Sequence, residues 1–215
     1  MTDNTPITAG ILILTGYFIG SIPFGYLAGK LRGIDIREHG SGNIGATNVL
    51  RTLGKSIGIP VLILDVLKGL LPVLIAQHFS DQTMIHILTA FATIMGHNYT
   101  LWLRFKGGKG IATSAGSLIP LIAIPLAIAV LIWVILFFTT RYVSVASIGA
   151  ALAIPIVTIM QQSLQNEWNL AMISFTVLLA TLATWKHRSN IIKLYHGTEN
   201  RFTPKSKKTN SQTDV

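Results

Sequence analysis

Apolar runs of about twenty residues recur along this chain, and a helix of that length crosses a hydrocarbon layer of ~30 Å. Half of the 215 residues are hydrophobic and only 12% are charged, against about 25% charged residues in an ordinary soluble domain. The chain therefore reads as all-α: a polytopic helical bundle embedded in a membrane. No stretch is left over for a soluble domain, so 1–201 is expected to form one transmembrane domain and 202–215 a basic, unstructured cytoplasmic tail. Cysteine is absent, which excludes disulfides, thiolate nucleophiles and zinc–thiolate sites. The net charge of +9 is explained by membrane topology, with no need of a nucleic-acid partner.

Hydropathy, punctuated by Pro, Gly and charge, gives spans near 7–29, 57–77, 83–103, 111–138, 144–160 and 168–186. The 111–138 run is too long for one crossing and holds Pro120 and Pro125, so it is either one kinked helix or two shorter segments. The positive-inside rule separates these alternatives. With two segments and an external N-terminus, the cytoplasmic stretches are 30–56, 104–110, 139–143 and the tail from 186. All 17 basic residues except Lys68 then lie on the cytoplasmic side. Seven transmembrane helices, N-terminus external and C-terminus cytoplasmic, is the expected architecture, with 110–119 either a full crossing or a re-entrant segment. Asp65 and Lys68, three apart on one helix face, are expected to form a structural ion pair; the alternative is that Lys68 holds an anionic group deep in a site.

Three polar segments fall on the same membrane face in this topology. The first, 33–55, contains a G-x-G-x-x-G at Gly40, Gly42 and Gly45, but a membrane span precedes it where a nucleotide-binding fold needs a strand. What remains is local: glycines let backbone N–H groups converge, and Ser41, Asn43, Thr47, Asn48 and Arg51 supply donors suited to a phosphate. A flexible interfacial loop is the alternative. In the second, 96–116, Gly107, Gly108 and Gly110 surround Lys109 ahead of a helical segment, as an anion nest would require. It lacks the Ser or Thr that follows the lysine of a nucleotide-binding loop. In the third, 184–202, His187 and Asn190 share a helix face, and Glu199 has many cations nearby.

These segments resemble the acyl-phosphate-dependent glycerol-3-phosphate acyltransferases, the PlsY-type membrane enzymes of bacteria. The first motif is carried by Ser41-Gly42-Asn43 through Gly45-Ala46-Thr47-Asn48 with Arg51. The second is Gly96-His97 followed by Phe105-Lys106-Gly107-Gly108-Lys109-Gly110 and Ala112-Thr113, and the third is His187 and Asn190 with Gly197 and Glu199. The likeness spans nearly the whole chain; one departure is Thr100, where the family usually has Pro. The resemblance implies transfer of a fatty acyl group from acyl phosphate to the 1-hydroxyl of sn-glycerol 3-phosphate, giving lysophosphatidic acid and phosphate at the cytoplasmic face of the bacterial inner membrane. It implies essential roles for Ser41 and Arg51, activity at His187 and Asn190, glycerol phosphate binding at Gly107, Gly108 and Gly110, and a structural role for Glu199. Gly42, Asn43, Thr47, Asn48, Lys109 and Thr113 stand beside them as substrate-binding candidates.

Attack of a hydroxyl on an acyl phosphate passes through a tetrahedral oxyanion and expels a good leaving group. None of the six histidines has Asp five positions later, and no Ser-His-Asp arrangement is evident. Direct transfer and an acyl-Ser41 intermediate both remain open, as do His187 and a substrate phosphate oxygen as proton acceptor. The acyl chain is expected between the spans, in contact with membrane lipid. Neither a metal nor a cofactor is expected. A transporter would distribute polar residues through the bilayer midplane, whereas only Asp65 and Lys68 lie at depth.

Overall fold

Proline and glycine decide where the apolar runs break. The computed structural model describes residues 5–202, and the basic tail expected from 202, with Lys205, Lys207 and Lys208, otherwise lies outside them. The first run divides at Ile22-Pro23 into α1 (Pro6–Ser21) and α2 (Phe24–Leu31), because proline cannot donate the helical hydrogen bond at that point. Then come α3 (Ala46–Leu53), α4 (Lys55–Phe79), α5 (Thr83–Asn98), α6 (Ile111–Leu118), α7 (Ala123–Thr140), α8 (Val143–Gln165), α9 (Leu170–Lys186) and α10 (Arg188–Tyr195). No strand occurs among the described residues.

Among the described residues, four segments are long and apolar enough to cross a membrane, Pro6–Lys30, Lys55–Phe79, Ala123–Thr140 and Val143–Gln165, and a fifth if α9 and α10, bent by 53°, count as one. The 111–138 run is indeed two helices. At 1.5 Å per residue, α6 is only about 12 Å long and α5 about 24 Å. Neither spans ~30 Å by helix length alone. The direction of α6 is nevertheless clear: Ser117 Oγ donates to Gly69 O (3.1 Å), while Gln77 Nε2 donates to Pro120 O (3.1 Å). α6 therefore runs parallel to the second half of α4 and returns the chain to the end of the bundle where α4 finishes.

Without a hydrophobic force between helices in lipid, close backbone contact between small residues holds the bundle together. A Cβ on Gly20 would lie 2.0 Å from Thr93 O, and one on Gly96 2.2 Å from Tyr17 O, so α1 and α5 meet at bare backbone. Gly69 and Gly116 do the same for α4 and α6, with Thr113 O and Val66 O at 2.1 and 2.0 Å. A core of Val73, Ala90, Ile94, Leu118, Leu126 and Phe175 fills the middle. A second cluster of Ile36, Ile44, Val49, Val61 and Leu103 anchors the first polar segment to α4. Leu131, Ile135 and Phe138 on α7 face outward, as a lipid-facing surface requires.

Candidate active site

The connections 32–45, 99–110, 141–142 and 187–202 all lie at one end of the bundle. Asn48, in the first turn of α3, organises the first of them. Its Oδ1 accepts from Ser41 N (2.8 Å), and its Nδ2 donates to the carbonyls of Ile36 (3.1 Å), His39 (2.9 Å) and Asn43 (2.8 Å). Asn48 is buried to 1% exposure, so its amide is committed to the loop that presents Ser41. Gly42 has φ +72°, the left-handed region that favours glycine, and Asn43 Oδ1 accepts from Gly45 N (3.1 Å). Asp35, one of two acids in this connection with Glu38, is bound by Arg37 at 2.6 and 2.9 Å. The Arg37 guanidinium holds its carboxyl well below the usual carboxylate range.

The second segment turns sharply at Arg104 and Phe105, both non-glycine residues with positive φ (52° and 61°). Thr100 anchors the turn: it is fully buried, its hydroxyl donates to Ser21 O (2.5 Å), and its carbonyl accepts from Phe105 N (2.9 Å). A side-chain hydrogen bond thus holds the backbone at the position where the resemblance expects proline. Past this turn, Gly107 and Gly108 bring Lys109 across to the third segment, where its Nζ donates to Asn190 Oδ1. Asn190 Nδ2 donates to Glu199 Oε1 (2.7 Å), which also accepts from Ser144 Oγ (2.9 Å). Glu199 and Ser144 therefore hold the Asn190 amide in the orientation that meets Lys109. Lys186 Nζ donates to Asn98 O (3.1 Å), tying the end of α9 to the end of α5.

A cavity of about 280 Å³ opens where the segments meet. Ser41, Gly42, Asn43, Gly107, Gly108, Lys109, Lys186, Arg188, Ser189, Asn190 and Lys193 line it. Its charged lining is entirely basic. Burial pushes the Lys109 ammonium down to about 8, with Lys193, Lys186 and Arg51 acting the same way and Glu199 opposing them. His187 sits behind the wall at 4% exposure. Its Nδ1 lies 2.8 Å from Ala183 O, and since a carbonyl only accepts, Nδ1 carries the proton and Nε2 is the free acceptor.

The matching family model, glycerol-3-phosphate acyltransferase, covers residues 10–197. The chain belongs to this family. Glycerol-3-phosphate acyltransferases of Desulforamulus reducens and Geotalea daltonii are each 48% identical to it, over 90% and 89% of this chain and 94% and 96% of theirs. The crystal structure of PlsY, an integral membrane glycerol 3-phosphate acyltransferase, in its glycerol 3-phosphate form superposes with a TM-score of 0.85. The two chains are 37% identical over 91% of this chain and 96% of that one. The lysophosphatidic acid form gives a TM-score of 0.82 at the same identity. This protein is accordingly an integral membrane enzyme of the PlsY family, a glycerol-3-phosphate acyltransferase.

Of the residues singled out from the sequence, Ser41, Gly42, Asn43, Gly107, Gly108, Lys109 and Asn190 share the cavity wall. Arg51 stands in the last turn of α3, off the wall, but close enough for its charge to act on Lys109. Thr47 is exposed on α3, Gly110 caps the N-terminus of α6 with φ +80°, and Thr113 is buried on α6. Asp65 and Lys68 pair at 2.8 Å. Lys186, Arg188 and Lys193 count toward membrane orientation when read from sequence; in the fold they also line the cavity. Their concentration beside His187 and Asn190 was the available signal. Ser144 had none, since nothing local marks a serine on α8 as the partner of a glutamate 55 residues later. Among the described residues no three His, Cys, Asp or Glu side chains gather to hold a metal ion.

Proposed function

We propose that the protein transfers a fatty acyl group from acyl phosphate to the 1-hydroxyl of sn-glycerol 3-phosphate, forming lysophosphatidic acid and releasing phosphate. The observation that carries this reading is the convergence of the Ser41 loop, the Gly107–Lys109 loop and the start of α10 on one cavity whose charged lining is entirely basic. Two phosphate-bearing reactants need such a place, because each brings negative charge that must be neutralised while the acyl carbon is attacked.

In the reaction, the glycerol oxygen forms a bond to the acyl carbon, charge collects on the carbonyl oxygen, and the bond from that carbon to the phosphate oxygen then breaks. Loop N–H groups, Ser41, Arg51 and Lys109 stabilise the oxyanion and the departing phosphate. Gly42, Asn43, Gly107, Gly108 and Gly110 let backbone approach the phosphates, Asn48 holds the Ser41 loop, and Thr47 and Thr113 are further substrate-binding candidates. The hydroxyl proton goes to His187 Nε2 or to a substrate phosphate oxygen. Asn190 orients Lys109, and Glu199 orients Asn190. Direct transfer needs no acyl-enzyme; an acyl group trapped on Ser41 would overturn it. No cofactor enters this scheme.

The acyl chain lies against the lipid-facing helices, and the cavity faces the cytoplasm of a bacterium, at the inner membrane. The chain crosses seven times, N-terminus outside and C-terminus inside, with α6 as the shortest limb and residues 1–201 forming one domain ahead of a cytoplasmic tail. The distribution of basic residues supports this orientation. The test is acyl transfer by the full-length protein in lipid nanodiscs, with palmitoyl phosphate or palmitoyl-CoA as donor and radiolabelled glycerol 3-phosphate as acceptor. Product from acyl phosphate alone, lost in Ser41→Ala, is the expected result. Product from the thioester donor would overturn the donor assignment, and none from either would overturn the activity.

A further inference from the structure

The Gly107–Lys109 loop needs a floor, because its two glycines carry no side chains with which to brace one another. That floor is the last turn of α5. Gly108 N donates to His97 O (3.1 Å), and a Cβ on Gly107 would lie 2.1 Å from the same oxygen. A Cβ on Gly108 would lie 2.2 Å from His97 Nε2, so the loop rests on both the backbone and the imidazole of His97. His97 is 4% exposed. Its Nδ1, without a hydrogen-bond partner among the described residues, stands 3.8 Å from Asp65 Oδ1. Asp65 pairs with Lys68 at 2.8 Å, and Lys68 donates to Ile22 O (2.8 Å), at the break between α1 and α2. A chain of buried polar contacts thus runs from that break, through α4, to the loop that carries Lys109.

None of these three side chains lines the cavity; they meet the Gly107–Lys109 loop from behind, through His97. Ionisable groups within a bundle are costly to bury, and an apolar replacement of the whole pair would pack more cheaply. What the polar set supplies instead is orientation. The Nδ1 edge of the imidazole faces Asp65 on α4 and the Nε2 edge faces Gly108, where a Cβ would lie 2.2 Å away. We infer that Asp65 and His97 are positioning residues for the glycerol 3-phosphate site, acting through the Gly107–Lys109 loop to place Lys109. This rests on the substrate proposed above.

The test is a double-mutant cycle read by calorimetric binding of glycerol 3-phosphate to the full-length protein in nanodiscs. Gly108→Ala is expected to weaken binding about tenfold, and His97→Ala/Gly108→Ala to bind about threefold or more tighter than Gly108→Ala alone, because the methyl occupies the space left by the ring. Losses that simply multiply in the double variant would overturn the inference. Asp65→Asn is expected to raise the KM for glycerol 3-phosphate about tenfold with kcat held within about twofold; a fall in kcat at unchanged KM would equally overturn it. Where Asp65→Asn fails to fold because Lys68 is left unpaired, Asp65→Asn/Lys68→Met gives the same readout with both charges removed. Wild-type protein that binds no glycerol 3-phosphate would instead sink the proposed function, which keeps the two failures distinct.

Discussion

Two concavities open at opposite ends of the bundle, and the larger one is the less equipped for chemistry. At the far end, about 710 Å³ lies between the α6–α7 joint and the α8–α9 connection, with Gln161, Gln162, Gln165, Glu167 and Trp168 among its lining residues. Its polar groups serve local structure: Gln162 Oε1 accepts from Asn169 N (2.9 Å), and Asn169 Oδ1 accepts from Met172 N (3.0 Å) to cap α9. At the near end, 280 Å³ receives residues from the first, second and third polar segments, and side chains brace one another across 81 residues of sequence from Lys109 to Asn190. Convergent, mutually oriented polar groups are what a reactive site requires, and volume alone does not supply them.

The largest effect that can test this contrast is at Lys109. Lys109→Ala should lower kcat/KM with acyl phosphate and glycerol 3-phosphate about thirtyfold or more, since losing one partner of a buried charged contact costs ~2–5 kcal/mol; steady-state kinetics would measure it, and a loss under threefold would remove Lys109 from the site. Next comes pH. Because burial holds Lys109 at about 8, its cation is present below that value and is lost as pH rises through it. The KM for glycerol 3-phosphate should climb about tenfold from pH 7 to pH 9, and Lys109→Arg should flatten the rise because a guanidinium stays charged. Glu199→Ala leaves Asn190 Nδ2 and Ser144 Oγ without their acceptor, at ~1–3 kcal/mol, so a drop of about fivefold to a hundredfold in kcat/KM is expected, with Glu199→Gln retaining more. At the other end of the molecule, Gln161→Ala and Glu167→Gln should change kcat/KM by less than about twofold. A large loss there would break the contrast.

How much of this was legible in the sequence depended on the range of the forces involved. The run 57–77 became Lys55–Phe79 and the run 168–186 became Leu170–Lys186, because a continuous apolar stretch in a membrane has no competitor to helix. Splitting 111–138 was also readable, from charge rather than hydropathy, and the short segment expected at 110–119 is α6, Ile111–Leu118. The break at Ile22-Pro23 was missed since proline inside a membrane run often only kinks it; α4 carries Pro60 and Pro72 without breaking. The amphipathic α3 was hidden within a loop. Its Val49 is fully buried against Ile36, Ile44 and Val61, a tertiary gain that an eight-residue segment does not advertise on its own. In the site, residue types at motif positions were visible, but the commitment of Asn48 to three carbonyls and the bracing by Ser144 and His97 arise only when distant turns meet.

The closing contacts of the third segment also set a schedule. Glu199 reaches back to Ser144, and Phe202 N donates to Arg141 O (2.8 Å), so the wall containing Asn190 is completed by nearly the last of the described residues. During synthesis, N-terminal segments leave the ribosome first, and the Ser41 and Lys109 loops are in the membrane well before their partner exists. A nascent chain halted anywhere before Glu199 therefore carries the Ser41 and Lys109 loops but lacks the acceptor that orients Asn190, and should be impaired at least as much as Glu199→Ala.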